Sequence, residues 1–306
     1  MKAYLFAILA VLCWSFNVIV ATSLIDVLTP WQISGLRWFI ASFFIFIFCF
    51  NILKKNIILI LKYKKWLIWT SLWGITISNT CVYYAAYTVR PVTLSIIGAT
   101  GPLFLIFFAW ILKGVRLSGQ QFLGLIITLA GVALIILHSR NQSLGLTTIQ
   151  AGDWWMLGTA ITFGYYSYRV ADKPKDLPYL PFLAISIILG AIMCIPFFLY
   201  DTWHHPLNFT TNFTPSIIWI MLFMGIFNSL LAYLFWNRAL EIGNPIRVAM
   251  LYYLMPIFSS LESWFIFSDK IHLIHIIGAG VIFIGILFGN KQPKSASLPQ
   301  NHQANL

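Results

Sequence analysis

Residues 102–110 read Pro-Leu-Phe-Leu-Ile-Phe-Phe-Ala-Trp, and residues 256–264 read Pro-Ile-Phe-Ser-Ser-Leu-Glu-Ser-Trp. The two stretches lie 154 residues apart. At the same shift Pro91 falls on Pro245, Gly124 on Gly278 and Gly131 on Gly285. Five Gly, Pro or Trp identities in one register mark an internal repeat. A weaker match, Gly74 with Gly225, extends the repeat upstream.

Both copies sit in long apolar runs. Of 306 residues, 60% are apolar and only 9% are charged, against about 25% charged in a soluble domain. A soluble surface cannot be covered with so few charges. A helix needs about 20 apolar residues to cross a bilayer core of ~30 Å. Ten such runs are readable, at 3–21, 31–50, 66–88, 92–112, 120–138, 152–171, 180–200, 215–238, 246–267 and 272–289. The first is too long for the apolar core of a signal peptide and reads as a retained helix. Residues 291–306 are polar and read as a disordered cytoplasmic tail.

The net charge of +11 raises nucleic acid as a partner. That reading fails, because the basic residues form short clusters between apolar runs instead of a stripe. With ten spans and cytoplasmic termini, fifteen Lys and Arg fall inside and three (Arg90, Arg140 and Lys270) outside. This is a strong positive-inside bias. Arg37 is left over, within a span. The expected location is the plasma (inner) membrane. Trp31, Trp66, Trp69, Trp154, Trp155, Trp203 and Trp219 cluster at span edges, as an interfacial aromatic belt does.

The expected fold is therefore all-α: a polytopic membrane protein with ten transmembrane helices in two five-helix inverted repeats. The repeats are placed at 1–139 and 150–290. Five is odd, so the second copy enters the membrane upside down. Two such halves can rock between outward-open and inward-open states, which is the architecture of secondary transporters.

Several short motifs accompany the repeat. They are Trp14-Ser15-Phe16-Asn17, Arg37, Ala85-Ala86-Tyr87-Thr88 before Pro91, and Pro102 with Leu117, Gly124 and Gly131. Trp236-Asn237-Arg238-Ala239-Leu240 and Pro256 with Gly278 and Gly285 complete the set. In this order they resemble the drug/metabolite transporter superfamily, specifically its EamA-type ten-helix members, over about residues 3–289. The resemblance implies a small-molecule transporter and no catalysis. Members often carry Glu thirteen residues after the two span prolines, where this chain has Val115 and Asp269. Ion coupling through that pair is thereby put in doubt. The segment Tyr233 to Asn237 is similar to aromatic amino acid exporters of the superfamily.

Ionisable groups in mid-membrane are costly and mark function by default. Two stand well inside the spans, Arg37 in span 2 and Glu262 in span 9. Both lie roughly 8–9 Å below the outer surface at 1.5 Å per residue, so they are expected to form an outer gate or to hold the carboxylate and amine of a zwitterion. The competing reading is a structural pair that fixes helix packing. The amides Asn17, Asn79 and Asn228, with Asn237 nearer the cytoplasmic edge, are candidates for substrate contact, against the more usual role of interhelical hydrogen bonding. The aromatic cavity candidates are Trp14, Tyr83, Tyr84, Tyr165, Tyr166, Tyr168, Tyr233, Trp236, Tyr252 and Tyr253, with Tyr84, Tyr165 and Trp236 foremost, against a role in packing or the belt. Pro102 and Pro256 are candidate hinges, against static kinks. Gly124, Gly131, Gly278 and Gly285 give small faces, for packing within the chain or between two copies in a homodimer.

Other functions find little support. The cysteines Cys13, Cys49, Cys81 and Cys194 have no metal or redox spacing. His204-His205 lacks a third ligand, and Gly278-x-Gly280 lies in a membrane run, not after a strand. No P-loop occurs, so no ATP-hydrolysing cassette is expected. No cofactor or metal is expected either. The rival class is a polytopic membrane enzyme such as a lipid-modifying transferase. It needs clustered carboxylates or histidines at a membrane face, and the outer acids Asp26, Asp153, Asp201 and Asp269 are scattered. The expected activity is secondary transport of a small metabolite, an amino acid or related compound, by efflux.

Overall fold

A computed structural model describes residues 1–24, 26–88, 94, 97–141, 150–208, 212–267 and 273–290. Pro91, Arg90, Asp269, Lys270 and the tail 291–306 lie outside them. The regular structure among the described residues is entirely helical, without strands, and falls into ten packed segments. These are α1 (Lys2–Thr22), α2 (Pro30–Lys55), α3 (64–86), α4 (Gly101–Lys113) and α5 (Gly119–Asn141). The second half gives α6 (Ala151–Ala171), α7 (Tyr179–His204), α8 (Pro215–Ile242), α9 (245–267) and α10 (Leu273–Asn290). A short helix, Ile57–Lys62, links α2 to α3.

Among the described residues, three helices are long and apolar enough on their own to cross a bilayer. They are Pro30–Lys55, Tyr179–His204 and Pro215–Ile242, with mean hydropathies of 2.1, 2.6 and 2.1. The other apolar helices are shorter. The surface is inverted relative to a soluble protein. Phe48, Trp203 and Phe265 are exposed while Arg37 is fully buried. Lipid accounts for that inversion, since water would penalise an apolar surface of this extent. Trp69, Trp154, Trp155, Trp203 and Trp219 are exposed, as belt residues are.

Helix starts follow local chemistry. Thr29 caps α2 in a capping box with Gln32, and Pro30 takes the first turn. Thr214 with Pro215 starts α8, and Asn244 with Pro245 starts α9. Gly114, with φ of 66°, closes α4 in the left-handed region where a Cβ is strained.

The packing obeys the 154-residue shift. The most extensive contacts join α5 to α10 and α2 to α7, each a pair of repeat partners. A Cβ built on Gly131 would lie 2.7 Å from the Ile282 nitrogen and 2.9 Å from the Gly278 carbonyl. A Cβ on Gly285 would lie 2.6 Å from the Thr128 nitrogen and 2.8 Å from the Gly124 carbonyl. Adding 154 to the first-half number and subtracting it from the second-half numbers turns one set into the other, so the contacts are the same with the halves exchanged. The two helices therefore run antiparallel about a pseudo-two-fold axis, at a backbone approach only glycine allows. This seam is within one chain, so these glycines are not a face for a second copy. Trp110 and Trp264, which mark the repeat in sequence, are 54% and 52% exposed, so the two environments also match.

Three spans differ from ten uniform helices. In α3 a π-helical turn, Leu72–Ile77, separates Lys64–Ser71 from Ser78–Ala86. In α8 a π turn, Met224–Leu231, precedes Ala232–Ile242. The two π turns overlap under the repeat shift. In α9 a 3-10 turn, Leu251–Leu254, joins Pro245–Met250 to Met255–Phe267. Pro102 and Pro256 both lie in the first turn of an α-helical stretch, Gly101–Lys113 and Met255–Phe267. They stand at joints and not in helix interiors, because a proline nitrogen removes no hydrogen bond there. Pro196 lies inside a helix, in α7.

Candidate functional site

The site grows from the two π turns. A π turn leaves backbone carbonyls without their usual helical donors, free for other partners. In α8 the Asn228 carbonyl accepts from Trp14 Nε1 at 3.1 Å and from Arg37 Nη2 at 3.4 Å. In α3 the Gly74 carbonyl accepts from Tyr233 Oη at 2.6 Å and from Asn79 Nδ2 at 3.1 Å. Positions 74 and 228 are repeat partners at the 154-residue shift. Asn79 Nδ2 also donates to Tyr233 Oη at 2.7 Å. Since 79 and 233 are themselves partners, this bond sits on the pseudo-two-fold axis.

Arg37 fills the space between α1, α2, α3 and α8. Its side chain is fully buried. Nε donates to Ser229 Oγ at 2.7 Å, and Nη1 donates to Tyr83 Oη and to Asn17 Oδ1, the latter at 3.4 Å. The guanidinium carbon lies 5.1 Å from the Trp38 ring and 5.7 Å from the Tyr83 ring. Asn17 Oδ1 also accepts from Tyr83 at 3.2 Å and from Asn228 Nδ2 at 3.3 Å, so one oxygen joins α1 to three other helices. Every partner of Arg37 here is neutral. Among the described residues no ion pair includes it. Its hydrogen bonds meet the directional demand of the fork, but the charge itself has no counter-ion.

Glu262 in α9 is 6% exposed. Ser15 Oγ donates to its Oε1 at 2.5 Å, while Oε2 is buried without a partner. Arg37 and Glu262 are thus not bonded to each other, contrary to the expected pair. Both are anchored on α1, through Asn17 and Ser15. Two residues of helix turn the chain by about 200°, so these anchors face opposite sides of α1.

Between them lies an aromatic cluster. The Trp14 ring centroid is 5.1 Å from Phe163, 5.4 Å from Trp236, 5.6 Å from Tyr233 and 6.1 Å from Tyr252. Tyr166 joins through Tyr233 at 5.5 Å. Trp236 Nε1 donates to Ser167 Oγ at 3.0 Å. Trp236 belongs to this cluster. Tyr84 and Tyr165 do not. Tyr84 stacks on Trp155 at 5.0 Å, and Tyr165 contacts Phe108 at 5.2 Å and Arg169, away from the cluster. Asn17 and Asn228 belong to the Arg37 network, and Asn79 to the axis. Sequence reading passed over Ser15, Ser229 and Phe163. Their one signal was adjacency: Ser15 follows Trp14, and Ser229 follows Asn228.

The two ends of the molecule are closed differently. The loop joining α6 to α7 is tied by ions: Asp172 to Lys113 at 3.1 Å, Lys173 to Glu241 at 3.4 Å and Asp176 to Lys62 at 2.8 Å. Tyr63 also donates to Asp176, and these contacts, first Lys62 and then Tyr63, hold its carboxyl below the usual range. The loop joining α1 to α2 is tied without ion pairs among the described residues. Thr29 donates to Asp201, Gln32 Nε2 to the His205 carbonyl at 2.8 Å, and Asn212 Nδ2 to the Val27 carbonyl at 2.6 Å.

All four cysteines are free, and no cluster of metal-ligating side chains occurs among the described residues. Helices in inverted halves around a buried polar centre define a membrane transporter fold. A solved crystal structure superposes on this chain with a TM-score of 0.72 at 17% identity, covering 94% of this chain and 96% of that one. The chain belongs to the EamA-like transporter family, whose model matches residues 1–137 and again 150–290. It is similar to two uncharacterized transporters of Archaeoglobus fulgidus, at 24% identity over 94% of this chain and 98% of the relative, and at 23% over 93% and 96%. A third relative is the uncharacterized transporter YyaM of Bacillus subtilis, 23% identical over 70% of this chain and 69% of its own. The protein is an integral membrane transporter of small molecules and not an enzyme.

Proposed function

We propose that this transporter exports a zwitterionic small metabolite, an amino acid or a related compound, by alternating access between halves 1–139 and 150–290. One observation carries the reading. Arg37 is a buried cation held only by neutral acceptors, and Glu262 is a buried acid with one unpartnered oxygen. Leaving both charges uncompensated is costly. A ligand's carboxylate would meet the guanidinium fork of Arg37, and its amine would reach Glu262 on the far side of α1 only as that helix moves during rocking. The aromatic cluster of Trp14, Phe163, Trp236, Tyr233 and Tyr252 would part to admit it. The joints at Pro102 and Pro256 and the two π turns are the segments whose rearrangement would accompany rocking.

Efflux and cytoplasmic termini rest on the positive-inside bias and on the resemblance to exporters. The test is counterflow of labelled amino acids in proteoliposomes, with Arg37→Gln and Glu262→Gln. Loss of counterflow in both variants, with the elution profile unchanged, supports the reading. Unchanged kinetics in both would end it.

A further inference from the structure

A second site lies outside this centre, at the hairpin between α4 and α5. A groove of about 340 Å³ opens there. Eight of its nine lining residues are apolar, and Phe107, Trp110 and Phe122 form its exposed walls. The ninth is Arg116, in the loop 114–118 that joins the helices. Arg116 is exposed and belongs to none of the ion pairs seen among the described residues. Lys113, at the end of α4, lies three residues away and is paired with Asp172. The groove is thus an apolar slot with an unpaired guanidinium at the end where the helices leave the membrane.

We infer that this groove binds one anionic phospholipid, its phosphate on Arg116 and an acyl chain along Leu103, Phe107, Trp110 and Phe122. Charge complementarity selects the head group. A guanidinium binds a phosphate through paired, charge-assisted hydrogen bonds, and basic pockets beside membrane helices are lipid head-group sites. A zwitterionic lipid brings its own cation and gains less from Arg116. The apolar walls select a ligand with a chain over a free anion.

The test is thermal unfolding of the full-length protein in detergent. Phosphatidylglycerol, phosphatidylcholine and glycerol phosphate are each titrated. Phosphatidylglycerol is expected to raise the midpoint by several degrees, saturably, whereas the other two give little or no shift. Arg116→Gln is expected to lose at least half of that shift. Leu103→Trp, which fills the slot without touching the charge, loses it independently, so the test survives if one variant fails to fold. Lys55→Gln, at the end of α2, keeps it. Equal shifts with phosphatidylcholine, a shift with glycerol phosphate, or a full shift in both groove variants would overturn the inference.

Discussion

The two π turns are the same backbone device put to different ends. In α3 the freed carbonyl of Gly74 is taken by two neutral donors, Asn79 and Tyr233. In α8 the freed carbonyl of Asn228 is taken by Trp14 and by a buried cation, Arg37. The first is closed by packing as well: a Cβ on Gly74 would fall 1.9 Å from the Tyr166 ring. The second keeps a spare acceptor, since Asn228 Oδ1 is buried without a partner. A repeat that copies the backbone need not copy the chemistry. The turn of one half is a structural joint, and the turn of the other receives the Arg37 charge reaching across from α2.

The sharpest way to break this comparison is to remove the charge. Arg37→Gln is expected to abolish measurable counterflow, because losing one side of a buried charge contact costs about 2 kcal/mol or more, roughly 30-fold in affinity. Asn79→Ala is expected to lower the unfolding midpoint and leave the substrate KM near wild type. Equal loss of transport in both variants, at equal stability, would mean that the two turns do the same job.

The next effect belongs to the packed turn. Gly74→Ala forces the Tyr166 ring to move, and overpacking of this kind costs about 1–3 kcal/mol. Ser229→Ala, in the other turn, strands the Arg37 Nε donor. A hydrogen bond to a charged group is worth about 1.5–3 kcal/mol. The loss at Ser229 is expected to appear chiefly in ligand-induced stabilisation, and the loss at Gly74 in the ligand-free midpoint. Thermal scans with and without substrate separate them.

Much of this architecture is legible in the sequence. The shift that aligns Pro102 with Pro256 also places Asn79 on Tyr233, the pair that bonds across the axis. The spans follow from apolar length, and Arg37 and Glu262 from the cost of burying charge. The pairing of those two charges did not follow. Equal depth fixes a height in the membrane but not a direction around the helix, and their neighbours face opposite sides of α1. The π turns were hidden too. Matching Gly74 with Gly225 follows residue identity, whereas the carbonyl that plays Gly74's part belongs to Asn228. Tyr84 and Tyr165 illustrate the same limit, since an aromatic near a polar residue in sequence turns outward as readily as inward.

The two end loops extend the comparison to smaller effects. The α6–α7 loop is held by ion pairs and the α1–α2 loop by neutral bonds and a single carboxylate acceptor, so the former should respond more strongly to salt and to removal of a basic partner. Lys173 has a side chain only 8% exposed, against 57% for Lys62. Lys173→Gln is therefore expected to be the more costly, at about 1 kcal/mol for a partly buried pair, and to speed opening of that end as read by cysteine-labelling rates. The Lys62 tie is weaker and carries a pH signature. Asp176 has a folded-state pKa below its unfolded one, so the tie contributes above about pH 4 and is lost as pH falls through the depressed value. In Asp176→Asn the labelling rate at the α6–α7 end should lose the part of its acid-dependent rise that this tie supplies, keeping that of the Asp172 and Glu241 pairs, while the rate at the α1–α2 end stays as in the wild type. A matching acid-dependent change at both ends of the variant would show that the loops are not held independently.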